Sequence, residues 1–419
     1  MNSRERIRKT LNHSQPDKLP VDFGGMLGTG INVSIIFQLR QKLGLDKVGT
    51  PVKVIEPFQM LGEIKDDLKS ILGVDTTALL GEKNFFGFEN TGWKEWKLWD
   101  NTPVLVPEKF NTRKEKDGSV FQYPEGDTDA MPSSKMPEKG YYFDAIIRQK
   151  SIKEEELKVE DNLEEFKIIS ETELNKIKSE AEGLFSNSNY SIFASLVQSG
   201  FGDISLIPGV QIKNPRGIRD ITEWYISLVS RKELVRKIFD YQCDVCIENY
   251  KRIYNKVGNL IDEVFITGTD FGNQNSLFIS KDLYKELFKP FHQKVNNWIH
   301  DNTKWKTFIH SCGAIETLIP ELIDAGFDIL NPVQISAAGM DPYKLKKKYG
   351  KDIVFWGGGV DTQKTLPFGS PKQVEEEVKK LIEIFSVDGG FVFNTVHNIQ
   401  ANTPIENIIS MINVIQKYR

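Results

Sequence analysis

Along this chain, short apolar runs bounded by glycine, proline or asparagine alternate with stretches whose apolar residues recur every three to four positions. The first pattern reads as strands and the second as amphipathic helices. Strands are predicted at 19–23, 76–80, 191–197, 263–267, 307–310, 329–332, 353–356 and 391–396, and helices at 4–12, 235–250, 315–325, 371–385 and 404–417. Strand followed by helix, repeated, implies a parallel sheet. Eight such units predict a closed (β/α)8 TIM barrel rather than an open doubly wound sheet. The turn Gly24-Gly25-Met26-Leu27-Gly28-Thr29-Gly30 after the first strand is glycine-rich. Its spacing is not the G-x-G-x-x-G of a dinucleotide site.

The link between the second and third strands breaks this rhythm. Trp93, Trp96 and Trp99 fall close together, and Lys116-Asp117-Gly118-Ser119 reads as a hairpin turn between short alternating runs. Residues 84–145 are therefore expected to form a β-rich cap, with the tryptophans in its core. The cap is inserted into a single barrel domain spanning 1–419. The Glu- and Lys-rich stretch behind it, 146–190, is expected to be a charged helical connection with a solvated face.

Composition narrows the function classes. With 39% hydrophobic and 27% charged residues over 419 positions, the chain has an ordinary globular balance and ample length for a large core. Its 54 basic and 58 acidic residues give a net charge of −4, which excludes a chain-wide basic field for nucleic acid. No apolar run approaches the roughly 20 residues of a membrane span. Met1-Asn2-Ser3-Arg4-Glu5-Arg6-Ile7-Arg8 carries no apolar core behind its charges, so no signal peptide is expected. Three cysteines without regular spacing point to a reducing cytoplasm.

Barrel enzymes place their chemistry at the C-terminal ends of strands. Read as a set, those positions offer Asp22, Glu82, Gln198, Ser199, Asp270, Gln274, His310, Cys312, Asn331, Gln334, Trp356, Asp361, His397, Asn398 and Gln400. The sharpest local signal is Phe308-Ile309-His310-Ser311-Cys312-Gly313, which brings together two scarce residue types. In extended backbone, positions i and i+2 point to the same side. An imidazole and a thiolate then converge, a donor pair that suits zinc at about 2.0–2.3 Å. His397, after the eighth strand, is the candidate third ligand, with a carboxylate, water or substrate fourth. The alternative is a thiol packed under a turn and two unrelated histidines. Cys243 and Cys246 share a helix face and read as buried small residues.

These residues resemble the uroporphyrinogen decarboxylase superfamily, and within it the zinc- and corrinoid-dependent methyltransferase branch. The resemblance rests on Arg4-Glu5-Arg6 through Leu19-Pro20-Val21, and on Asp270-Phe271-Gly272-Asn273-Gln274 with Ile279-Ser280 and Tyr284 through Pro290. It rests also on His310-Ser311-Cys312-Gly313, Gly357-Gly358-Gly359-Val360-Asp361-Thr362, and Gly389-Gly390 through Thr403-Pro404. It covers most of the barrel but not the cap.

The resemblance implies a (β/α)8 barrel that moves a methyl group from a small methoxylated, aromatic donor to the cobalt of a corrinoid on a separate protein, as in O-demethylase systems. Zinc at His310, Cys312 and His397 would act as Lewis acid on the ether oxygen. Asp270 and Gln274 would have catalytic roles, and Asp22, Gln198, Asn331, Gln334 and Trp356 would meet the substrate. A homodimer is compatible with this scheme. The chain departs from the family's coenzyme M methyltransferases in having His397 where they carry a cysteine. The stretch Asp22-Phe23-Gly24-Gly25-Met26 also lacks the arginines with which decarboxylases hold porphyrin carboxylates. The competing readings are transfer from a corrinoid to a thiol, and a lyase acting on a porphyrin-like acid.

Overall fold

The computed structural model describes residues 1–197 and 199–419. Its centre is a seven-stranded parallel sheet. In spatial order the strands are Thr76–Leu80, Ser191–Ser195, Glu263–Thr267, Lys306–His310, Ile329–Asn331, Val354–Trp356 and Phe391–Val392. Each is rich in β-branched or aromatic residues and buried on both faces, as a sheet sheathed by helices requires. The expected first strand takes the eighth position as a single parallel bridge, Val21 to Phe393. Phe393 N donates to Pro20 O and Asp22 N donates to Phe393 O, both at 2.8 Å. On the other side Asp75 N donates to Val21 O at 2.8 Å. The sheet thereby curls into a TIM-like barrel.

The barrel interior is packed. Phe193, Phe308, Ile329, Val354, Trp356 and Val392 meet Ile7 and Leu11 of the helix Ser3–Leu11, and Met26 joins the same cluster. The rings interlock edge to face, Phe193 with Phe308 at 4.8 Å and Phe308 with Trp356 at 5.7 Å between centroids. Each such side chain contributes about 1.5–3 kcal/mol on burial. The opening helix is set by a capping box in which Asn2 and Glu5 exchange backbone bonds. The same device, Ser370 with Gln373, starts Pro371–Phe385.

Outside the barrel lie two small sheets. Thr112–Lys114, Val120–Gln122, Ser134–Met136 and Asp144–Ala145 form an antiparallel meander. The turn at Lys116-Asp117-Gly118-Ser119 joins its first two strands. The other sheet has the order Leu61–Gly62, Val52–Glu56, Pro103–Val106, Lys94–Lys97. Its first two strands come from before the second barrel strand, so this sheet is shared between distant parts of the chain. Of the three tryptophans expected in a cap core, Trp96 packs on Phe110 at 5.4 Å, whereas Trp99 is 48% exposed. The stretch 146–190 is helical mainly over Glu171–Asn187. Before it the chain makes two single 3-10 turns, and Asn249 then satisfies the backbone of Lys167 and Ile169 just ahead of the helix. Among the described residues no helix is long and apolar enough to cross a membrane.

Candidate metal centre

His310 is the last residue of Lys306–His310, and Cys312 follows two positions on. Asn331 ends the neighbouring strand in register with His310. His310 Nδ1 lies 2.6 Å from Asn331 Oδ1, and Asn331 Nδ2 donates to Trp356 O at 2.7 Å. The amide orientation is thus set by a carbonyl, its oxygen can only accept, and the proton resides on Nδ1. Nε2 is left bare, 3.4 Å from Cys312 Sγ. His397 meets the His310 ring edge to face, 5.3 Å between centroids.

One ligand atom from each of His310, Cys312 and His397 can be chosen so that all three lie within 4.8 Å of one another. Tetrahedral zinc spaces its ligand atoms by roughly 3.3–3.8 Å, so small side-chain rotations suffice. The electrostatics fit as well. Burial pulls both imidazoles down to about 4, so both are neutral, the form that ligates. Burial, and secondarily the charge of Asp270, push the Cys312 thiol well above its ordinary value. A thiolate between two bare imidazole nitrogens needs a cation to compensate it, and this donor set fits one.

The loop carrying Cys312 is braced from three sides. Cys312 N donates to Asp270 Oδ1 at 2.7 Å, and Gly313 N donates to Gln334 Oε1 at 2.7 Å. Gln334 Nε2 donates to Gln274 Oε1 at 2.9 Å, and Gln274 Nε2 donates to Ser336 O at 2.6 Å. Gly313 has φ of +95°, and a Cβ there would stand 2.3 Å from the Gly272 backbone. Only glycine permits the two loops this approach. Gly28 presses on the other side, where a Cβ would stand 3.1 Å from the His310 ring.

The centre opens into a cavity of about 1420 Å³. His310, His397, Asp270, Glu82 and Gln400 line it from the strand ends, and Glu56, Phe58, Tyr141 and Phe143 line it from the outer segments. Asp270 is held above the usual carboxyl range by burial, opposed by the Cys312 N–H and by His397.

The structure therefore brings together His310, Cys312, His397, Asp270, Gln274, Asn331 and Gln334. The last three act on the ligand loop and do not line the cavity. Asp22 and Trp356 lie deeper still. Trp356 Nε1 donates to Asp22 Oδ2 at 2.9 Å, while Thr76 Oγ1 and Gly25 N donate to Asp22 Oδ1 at 2.6 and 2.7 Å. Both are fully buried in the barrel, so the expected substrate contact gives way to a structural hydrogen-bonded pair. Gln198 lies outside the described residues. Asn398 takes the Gly30 N–H at 2.6 Å and fixes the glycine turn. Cys243 and Cys246 are buried in the helix Lys232–Val257, as expected. Sequence reasoning missed Glu56 and Asp203, two buried carboxyls on the cavity wall. The turn signal Gly200-Phe201-Gly202 before Asp203 was the available clue.

Residues 213–418 match the uroporphyrinogen decarboxylase (URO-D) family model. That span contains His310, Cys312 and His397 and excludes the two small sheets. Over its whole length the chain shares the fold of a methyltransferase from Methanosarcina mazei, with a TM-score of 0.55 and 14% identity, covering 100% of this chain and 99% of that one. No curated protein matches the sequence.

Proposed function

We propose that this protein is a methyltransferase that holds zinc at His310, Cys312 and His397. On this reading it takes a methyl group from a small methoxylated donor to the cobalt of a corrinoid carried by a separate protein. The observation that carries the reading is the His-Cys-His set within 4.8 Å at the edge of the cavity. A divalent metal held there supplies Lewis acidity toward the ether oxygen of the donor. The chain's own residues do the positioning. Asn331 keeps His310 Nε2 free, Asp270 and Gln334 anchor the Cys312 loop, and Gln274 anchors Gln334. Phe58, Tyr141, Phe143 and Phe265 offer apolar surface to an aromatic donor.

The cavity supports a second, larger occupant. Pockets for small ligands span about 300–1,000 Å³, and this one reaches about 1420 Å³. The decarboxylase activity for which the matched family is named would find no arginine to clamp carboxylates bidentately: among the described residues the cavity's cations are Lys83, Lys139, Lys167 and Lys213.

The test is metal analysis of the purified protein and of Cys312→Ala, followed by methylation of cob(I)alamin from a methoxylated aromatic compound. One zinc per wild-type chain, its loss in the variant, and methylcobalamin formation are expected. A metal-free wild type with full transfer activity would overturn the metal role. Turnover of the donor without any corrinoid would overturn methyl transfer to cobalt.

A further inference from the structure

We propose that Asp203 is the acid that protonates the donor oxygen as its methyl group departs. This rests on the methyltransferase reading above and adds a catalytic residue to it.

The loop after the strand Ser191–Ser195 is strained. Gly200, Phe201 and Gly202 have φ of +77°, +46° and +77°. For a bulky residue such as Phe201 the left-handed backbone costs about 1–2 kcal/mol. The surroundings hold it there. Its ring packs against Phe239, Phe291 and His292 at 5.7, 6.3 and 5.5 Å between centroids. Phe201 N donates to Gln242 Oε1 at 3.0 Å. Thr269 Oγ1 donates to Phe201 O at 3.0 Å, and Thr267 Oγ1 donates to Gly200 O at 2.9 Å. Strain fixed from this many sides clusters where a side chain must be aimed.

The side chain aimed here is Asp203. Its Oδ1 accepts from Ser205 N at 2.9 Å and from Ser205 Oγ at 2.6 Å. Its Oδ2 lies against Gly268, where a Cβ would stand 2.7 Å away and displace the carboxyl. Asp203 is buried and lines the same cavity as His310, His397 and Asp270. Burial, with Asp270 as the charged group facing it, pushes the Asp203 carboxyl up to about 7. It therefore keeps a transferable proton near neutrality.

The step balances. Cob(I) supplies the electron pair for a new Co–CH3 bond and becomes Co(III). The O–CH3 bond breaks with its pair on oxygen. The Asp203 proton passes to that oxygen, and the product leaves as a neutral phenol. The carboxylate takes a proton back from solvent through the open cavity.

The test compares wild type and Asp203→Asn, both zinc-loaded, with cob(I)alamin as acceptor. Methylcobalamin formation is read with two donors, 4-methoxyphenol and 4-nitroanisole. A nitro-stabilised phenoxide leaves without a proton. Asp203→Asn is expected to lose about 10²–10⁴-fold in rate with 4-methoxyphenol, and less than about tenfold with 4-nitroanisole. Zinc content should stay at the wild-type level, because Asn Oδ1 keeps both Ser205 bonds, and any fall in melting temperature from the amide meeting the Gly268 backbone applies equally to both donors. Ser205→Ala, which frees the carboxyl to turn, should show the same donor dependence at smaller size. An equal loss on both donors, or none, overturns the acid role while leaving the methyltransferase reading intact. A wild type that methylates cob(I)alamin from neither donor overturns that reading and this assignment with it.

Discussion

His310 has one proton and two possible partners, and a single amide decides between them. Asn331 accepts from Nδ1 and so presents Nε2 to the thiol. Partners of this kind are worth about 10–100-fold in metal affinity. Asn331→Ala should weaken zinc binding by that factor in a chelator competition. An unchanged affinity would mean that the ring is oriented by something else. A second residue carries a pH signature. Glu56 is buried and accepts from Phe58 N and Gln59 N, yet burial pushes its carboxyl up to about 7. An unfolded Glu titrates near about 4.3. The raised value favours the protonated folded form, so this contribution is present below about 4.3 and is lost as pH rises through 7. Glu56→Gln cannot ionise. Its melting temperature relative to wild type should therefore climb between pH 5 and pH 8, by the equivalent of about 3 kcal/mol. A difference that stays flat with pH would show Glu56 to be charged throughout.

At the scale of elements, the Cys312 loop and the Asp270 loop touch through two glycines. Gly313→Ala forces a Cβ into the Gly272 backbone at a positive φ. The expected cost is about 2–5 kcal/mol with loss of metal. Gly44→Ala is the control, since φ is +66° there but a Cβ meets nothing within 4 Å. It should cost only about 1–2 kcal/mol and keep the metal. Chemical denaturation and zinc content read both. The elements most legible in the sequence were those whose pattern is local. Thr76–Leu80, Glu263–Thr267 and Pro371–Phe385 fall where their apolar periodicity put them. Val52–Glu56 escaped notice because one partner, Pro103–Val106, lies far along the chain and the other, Leu61–Gly62, is only two residues long. The site divides the same way. His310, Cys312 and His397 stood out because the chain has five histidines and three cysteines. Asp203 and Glu56 did not, being two among 58 acidic residues whose burial only the fold reveals.

For the molecule as a whole, the base of the barrel is tied by one fully buried carboxylate. Asp75 takes Arg6 Nη1 on Oδ1 and Arg419 Nη1 on Oδ2, both at 2.6 Å, so the opening helix and the C-terminal residue meet on it. Removing one partner of a buried ion pair costs about 3–5 kcal/mol. Asp75→Asn should lower global stability in denaturant by that amount and leave zinc content unchanged, because the metal centre is at the opposite end of the strands. Loss of zinc without loss of stability would mean that the two ends are coupled.

The stave at Val21 has a consequence for how the chain is made. Its hydrogen-bonding partner across the seam is Phe393, and the neighbouring contact between Asp22 and Asn394 spans 372 residues. At roughly 5–20 residues per second a ribosome takes on the order of 20–80 s to deliver that partner. Throughout that interval the nascent sheet has unpaired edges, which can recruit strands from other chains. The last strand to be synthesised is the one that closes the ring, so a ribosome stalled shortly before Phe393 should release an open, aggregation-prone half-barrel that chaperones must hold.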